Sequence, residues 1–116
     1  MWQPRSMKYG FAALAIVLGL AGCGTTPDER PVTFEVVTLS VLAPSCGQVQ
    51  CHSTSTHVTG YGFDTLAASR DALKSTGDRK RIWDQIERGQ MPPDAPLADE
   101  DKALIKAWLD AGAPGL

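Results

Sequence analysis

Residues 33–43 read Thr33-Phe34-Glu35-Val36-Val37-Thr38-Leu39-Ser40-Val41-Leu42-Ala43, and the reading of this stretch decides the fold class. Its β-branched residues Thr33, Val36, Val37, Thr38 and Val41 favour a strand by propensity. Phe34, Val37, Thr38, Val41 and Leu42, however, fall at i, i+3, i+4, i+7 and i+8, which is one face of a helix and not the alternation of a strand. The periodicity predicts a helix. Pro44 is expected to end it, because a proline disfavours helical backbone in the residue before it.

Outward from there the chain keeps to helices and loops. Gly47 to Gly62 is rich in Ser, Thr and Gly, holds both histidines and reads as loop. A short helix is predicted over Ser69–Lys74 with Ser69 as N-cap. Another is predicted from about Asp78 to Arg88, with Ile82, Trp83 and Ile86 inward and Gly89 as its stop. Met91-Pro92-Pro93 cannot be helix interior. The last helix is expected over Asp99–Ala111, with Leu104, Ile105 and Trp108 on one face and Asp99, Glu100 and Asp101 in the first turn, where the helix dipole favours acids. Gly112 and Pro114 close it. No internal repeat is visible. The expected fold is all-α, three to four short helices with long loops, and loops that long in so small a domain usually wrap something.

The N-terminus reads as targeting. Arg5 and Lys8 precede the apolar run Phe11–Leu20, ten residues long, against the roughly 20 needed to span a bilayer as a helix. That length suits a signal peptide. Leu20-Ala21-Gly22-Cys23 looks like a bacterial lipobox, so cleavage is expected before Cys23, with lipid on its thiol; two or three acyl chains give stable anchoring where one is marginal. Gly24 and not Asp follows the cysteine, which by the enterobacterial sorting rule leans towards the outer membrane over the inner. The expected organisation is a signal peptide over residues 1–22, a lipid-anchored tether over 23–31 and one domain over 32–116, on the periplasmic side of the envelope.

The predicted mature chain has 94 residues; without Arg5 and Lys8 it keeps nine basic against thirteen acidic side chains, a net charge of −4. An acidic surface cannot neutralise phosphates, which excludes a charge-driven nucleic-acid binder. A domain of this size buries only about 60–65% of its unfolded surface and usually needs a staple, a metal or a cofactor.

Cys46-Gly47-Gln48-Val49-Gln50-Cys51-His52 supplies such a group. Two cysteines with a histidine directly after the second is the arrangement of c-type haem attachment. Two thiols add across the two haem vinyls, and the adjacent imidazole meets the iron from one face. Four residues separate the cysteines here in place of two, and the extra ones can bulge outward. The alternative is a Cys46–Cys51 disulfide in a haem-free envelope lipoprotein with a binding or structural role, since exported thiols oxidise or become ligated. Met91, 39 residues after His52, favours haem. It lies between the helix stop Gly89 and two prolines, a stiff loop able to present a thioether, and His/Met is one of the few axial pairs that hold six-coordinate haem iron.

These residues resemble a known family. Phe34–Leu116 is similar to the small class I c-type cytochromes, in particular to lipoprotein cytochrome modules of myxobacteria and related delta-proteobacteria. The resemblance rests on Leu42-Ala43-Pro44-Ser45-Cys46 running into Cys51-His52-Ser53. It rests equally on Met91-Pro92-Pro93-Asp94-Ala95-Pro96-Leu97, followed by Ile105 to Pro114. The widened cysteine spacing departs from the general motif, and Ala98 replaces the usual Ser or Thr before the last helix, leaving Asp99 to cap. The resemblance implies haem c held by thioethers at Cys46 and Cys51, with His52 the proximal and Met91 the distal iron ligand. It also implies that Phe34, Val37 and Val41 pack near Leu104 and Trp108. The implied activity is electron transfer with redox proteins of the envelope, not enzymatic catalysis.

Other residues compete for these roles. His57 is a rival distal ligand, only five residues past His52; an open site without Met91 would suit a gas sensor or peroxidase. Cys46, Cys51, His52 and His57 are a conceivable zinc set. Arg79-Lys80-Arg81 reads as a solvated helix face, or as partners for a haem propionate or an acidic protein. Trp83 is expected against the haem.

Overall fold

Pro44 does not end the first helix. The computed structural model describes residues 28–116; the predicted signal peptide, Cys23 and most of the tether lie outside the described residues. Helix α1 runs unbroken through an α-helical Phe34–Val37, a π-helical Thr38–Leu42 and an α-helical Ala43–Cys46. Thr33 caps it, its hydroxyl accepting from the Val36 amide at 3.3 Å. In a uniform α-helix the ring of Pro44 would press on the carbonyl of Ser40. Widening relieves this. The Ala43 amide reaches back five residues to the Thr38 carbonyl, and Pro44 opens the renewed α-turn, where a missing N–H costs least. The predicted inner face survives: Phe34, Val37, Thr38, Val41 and Leu42 are all at most 2% exposed.

Three more helices follow, α2 (Leu66–Leu73), α3 (Thr76–Glu87) and α4 (Asp99–Asp110). Helix α2 starts three residues earlier than expected because Thr65, not Ser69, is its N-cap, with the hydroxyl taking the Ala68 amide at 3.1 Å. Ser69 is instead fully buried in the helix interior. Ser75 caps α3 by accepting from the Asp78 amide at 3.0 Å, and Gly89 stops it at φ 69°, a conformation glycine adopts without penalty. In α4 the three acids occupy the first turn as expected, but Ala98 holds the N-cap position without a side-chain bond and Asp99 does not cap. A single 3-10 turn covers Val58–Gly60 inside the long loop. No strand occurs among the described residues, so the all-α expectation holds at the level of class. Among them, too, no helix is long and apolar enough to cross a membrane.

The core joins the two ends of the domain. Phe34, Val37, Val41 and Leu42 of α1 meet Leu104, Ile105 and Trp108 of α4, with Leu73 of α2, Ile86 of α3 and the loop residues Phe63 and Leu97 completing it. The C-terminal segment clamps this contact. The Pro114 carbonyl accepts from the Phe34 amide at 3.1 Å and from the Trp108 indole at 3.0 Å. Arg70 lies 4.5 Å over the Phe34 ring and donates to the Gly115 carbonyl at 2.9 Å. One end of α1 is thus fixed in the core. The other delivers Cys46 to the edge of the long loop.

Candidate cofactor site

The cysteine loop folds back on itself. The Cys51 amide donates to the Gln48 carbonyl at 2.8 Å, and the His52 amide returns to the Cys46 carbonyl at 3.0 Å. The extra residues of the widened motif bulge outward, with Val49 71% exposed. Cys46 and Cys51 are both free thiols and half-buried. Burial first, and the neighbouring Cys51 charge second, push the Cys46 thiol up to about 11.

His52 is held by its ring. Nδ1 lies 2.6 Å from the Val58 carbonyl. A carbonyl only accepts, so Nδ1 carries a proton, which leaves Nε2 as the ring nitrogen that can offer a lone pair. This is the arrangement that orients a metal-ligating histidine and raises its basicity. Phe63 meets the ring edge-on at 5.8 Å and 79°, and Tyr61 lies 6.3 Å away. The Phe63 amide, bonded to the His52 carbonyl at 2.7 Å, fixes that aromatic flank. Tyr61 is tied in turn to α3 through its hydroxyl on Asp78 at 2.9 Å.

Met91 is delivered by the turn that ends α3. After α3, the amides of Gln90 and Met91 both turn back to the Gln85 carbonyl, at 3.0 and 3.2 Å. The Met91–Pro92 peptide is cis, and Leu97, buried, anchors the far end of the proline-rich loop.

These pieces converge. Cys46, Cys51, His52 and Met91 border one cavity of about 460 Å³, walled on the other side by Pro92 to Ala98. A second cavity of about 220 Å³ shares Cys46, His52 and Met91 with it, and adds Tyr61, Phe63, Ile82 and Ile86 as an apolar wall. The larger one lies within the roughly 300–1,000 Å³ range of small-molecule and cofactor sites. The residues present suit haem c: two free thiols, an imidazole with an oriented free nitrogen, a thioether and an apolar flank. His57 borders neither of these cavities. It is exposed, at φ 44°, and its charge acts on Asp64. No three His, Cys, Asp or Glu side chains come together as a metal-holding group among the described residues, so the four-residue zinc set does not assemble.

The basic run divides three ways. Arg79 donates to the Leu73 and Lys74 carbonyls at 2.7 and 3.2 Å, closing the end of α2. Lys80 pairs with Asp84 at 3.0 Å. Arg81 borders the smaller cavity. Trp83 departs from expectation: it faces α4 beside Lys106 and Leu109 and borders neither cavity that holds His52. Helical spacing puts it about 100° round from Ile82, which takes the cavity wall instead. The feature missed in the sequence is the Val58 carbonyl, a backbone group that no residue type announces.

No protein-family model matches the chain, and neither a curated protein nor a solved structure matches it.

Proposed function

We propose that the chain is a monohaem c-type cytochrome of the cell envelope, a lipid-anchored electron carrier and not an enzyme. One observation carries the reading: His52, with Nδ1 on the Val58 carbonyl at 2.6 Å, and Met91 border the same cavity as the two free thiols Cys46 and Cys51.

When bound, the haem supplies a reversible one-electron Fe(III)/Fe(II) couple. Cys46 and Cys51 would hold it covalently, so the small domain would need no large pocket to retain it. His52 Nε2 and the Met91 thioether would be the haem iron ligands and would keep small molecules off the metal. A thioether favours the ferrous state, so the pair sets a positive potential. Tyr61, Phe63, Ile82 and Ile86 exclude water from one flank, which favours the less charged form again. Arg81, which borders the smaller cavity and lies 3.9 Å from Asp78, is the cation of the basic run that would pair with a propionate. Cys23 anchors the domain, with the outer membrane favoured over the inner, and transient envelope redox proteins are its partners.

The test is expression of the chain in a periplasm with c-type maturation machinery, followed by spectra. A pyridine haemochrome that survives acid-acetone extraction is expected, together with a weak far-red ferric band that disappears in Met91→Ala. Absence of covalent haem under those conditions overturns the proposal. Haem with no such band in the wild type, and carbon monoxide binding on reduction, moves the chain to a five-coordinate sensor or peroxidase.

A further inference from the structure

Three donors converge on the Val58 carbonyl: the His52 Nδ1 at 2.6 Å, the Thr59 hydroxyl at 2.6 Å and, more distantly, the Tyr61 amide at 3.4 Å. The backbone is bent to allow it. His57 and Thr59 have φ values of 44° and 59°, in the left-handed region that costs a residue with a Cβ. The turn is locked by the His57 amide on the Ser53 carbonyl at 2.8 Å and the Gly60 amide on the His57 carbonyl at 2.7 Å. Two strained residues therefore flank the one carbonyl that holds the candidate proximal ligand. Thr59 itself borders the smaller cavity beside His52.

A carbonyl oxygen has two lone pairs, and two short donors divide its electron density between them. An imidazole whose N–H is strongly bonded gains imidazolate character and becomes a stronger donor through its other nitrogen, which favours ferric iron. A hydroxyl drawing on the same oxygen weakens that bond and favours ferrous iron. Resting on the carrier reading above, we propose that Thr59 is a positioning residue that raises the reduction potential by sharing the Val58 carbonyl with His52. Its β-carbon helps set the turn, and its hydroxyl does the tuning.

The experiment compares wild type, Thr59→Val and Thr59→Ser in the haem-loaded full chain. Each is first checked for covalent haem and for the Met91-dependent far-red band, so that a failure of the carrier reading shows before any potential is measured. Thr59→Val keeps the branched shape and loses the hydroxyl. Its midpoint potential is expected to fall by roughly a threefold change in the reduced-to-oxidised ratio at fixed poise, about 28 mV at 59 mV per tenfold for one electron. Thr59→Ser is expected to restore the wild-type value. In the ferrous protein the His52 Nδ1–H proton resonance is expected to move to lower field in Thr59→Val, as its hydrogen bond strengthens. A Thr59→Val protein with unchanged potential and an unmoved Nδ1–H resonance overturns the proposal, as does a fall that Thr59→Ser does not reverse. If Thr59→Val retains no haem, Thr59→Ala is read by the same criteria.

Discussion

Phe34 and Trp108 lie with ring centroids 6.2 Å apart at 38°, and both reach the same Pro114 carbonyl, one through its amide and the other through its indole. The first and last helices are thereby locked at a point remote from the cavity. Each side chain is 1% exposed, so truncation leaves a void that the surroundings fill only in part. Phe34→Ala and Trp108→Ala are each expected to cost about 3–5 kcal/mol in denaturant unfolding. The double variant should cost less than the sum, with a coupling of about 0.5–1.5 kcal/mol for the ring pair itself. Strict additivity would show that the rings pack independently.

Gly47 is the second structural constraint, and it acts at the cavity. A Cβ there would stand 2.7 Å from the Asp64 amide nitrogen and 2.8 Å from the Ala43 carbonyl oxygen. Both are backbone atoms and cannot swing aside. Gly47→Ala is expected to destabilise the chain by about 1–3 kcal/mol and to lower the yield of covalent haem, because it separates Cys46 from the loop that brings Cys51 and His52 back. An alanine variant of wild-type stability and haem content would show that this approach is looser.

Much of the architecture was legible in the sequence, and the misses share a cause. The α1 face, the Gly89 stop and the acid-rich start of α4 follow from periodicity and local chemistry, which operate within a turn or two of chain. That His52 and Met91 border one cavity could be anticipated because the motif, the helix stop and the prolines each constrain backbone geometry. By residue type Ser69 is at least as good an N-cap as Thr65, and packing in the core decides that Ser69 goes inside. Pro44 stops a regular helix, but here the helix, anchored by the buried face from Phe34 to Leu42 that precedes the proline, widens its turn and continues. Trp83 was misplaced because a half-buried aromatic on α3 can serve either the cavity or the contact with α4. The Val58 carbonyl depends on left-handed backbone at His57 and Thr59, a conformation that the β-branched Thr59 disfavours and that no residue type here announces.

The loop carrying His52 should be sensitive to acid. Asp64 accepts from the Thr54 amide at 2.9 Å and its hydroxyl at 2.8 Å; the amide bond first, then the hydroxyl, hold its carboxyl below the ordinary 3.8. Asp78 is lowered in the same way, by the Ser75 hydroxyl first and the Tyr61 hydroxyl next. A carboxyl lowered in the folded state contributes stability that is present above the unfolded value and lost as pH falls through the folded one. Melting temperature is therefore expected to hold above about pH 4 and to fall below it. Asp64→Asn should melt lower at neutral pH and show a shallower acid limb. An Asn variant with the wild-type acid limb would remove Asp64 from this account.

Ser69 and Thr38 test the interior between α1 and α2. Both hydroxyls are fully buried and have no hydrogen-bond partner among the described residues. A buried hydroxyl without a partner has given up its water bonds for nothing, a loss of about 1–3 kcal/mol. Ser69→Ala removes that oxygen, adds no volume and places a better helix former inside α2. It is expected to stabilise the chain by about 1 kcal/mol in denaturant unfolding. Thr38→Val keeps the branched shape within the π-helical turn and should act in the same direction. A loss of stability of similar size in Ser69→Ala would mean that its hydroxyl is bonded after all, and that small volume alone does not explain why a serine occupies this position.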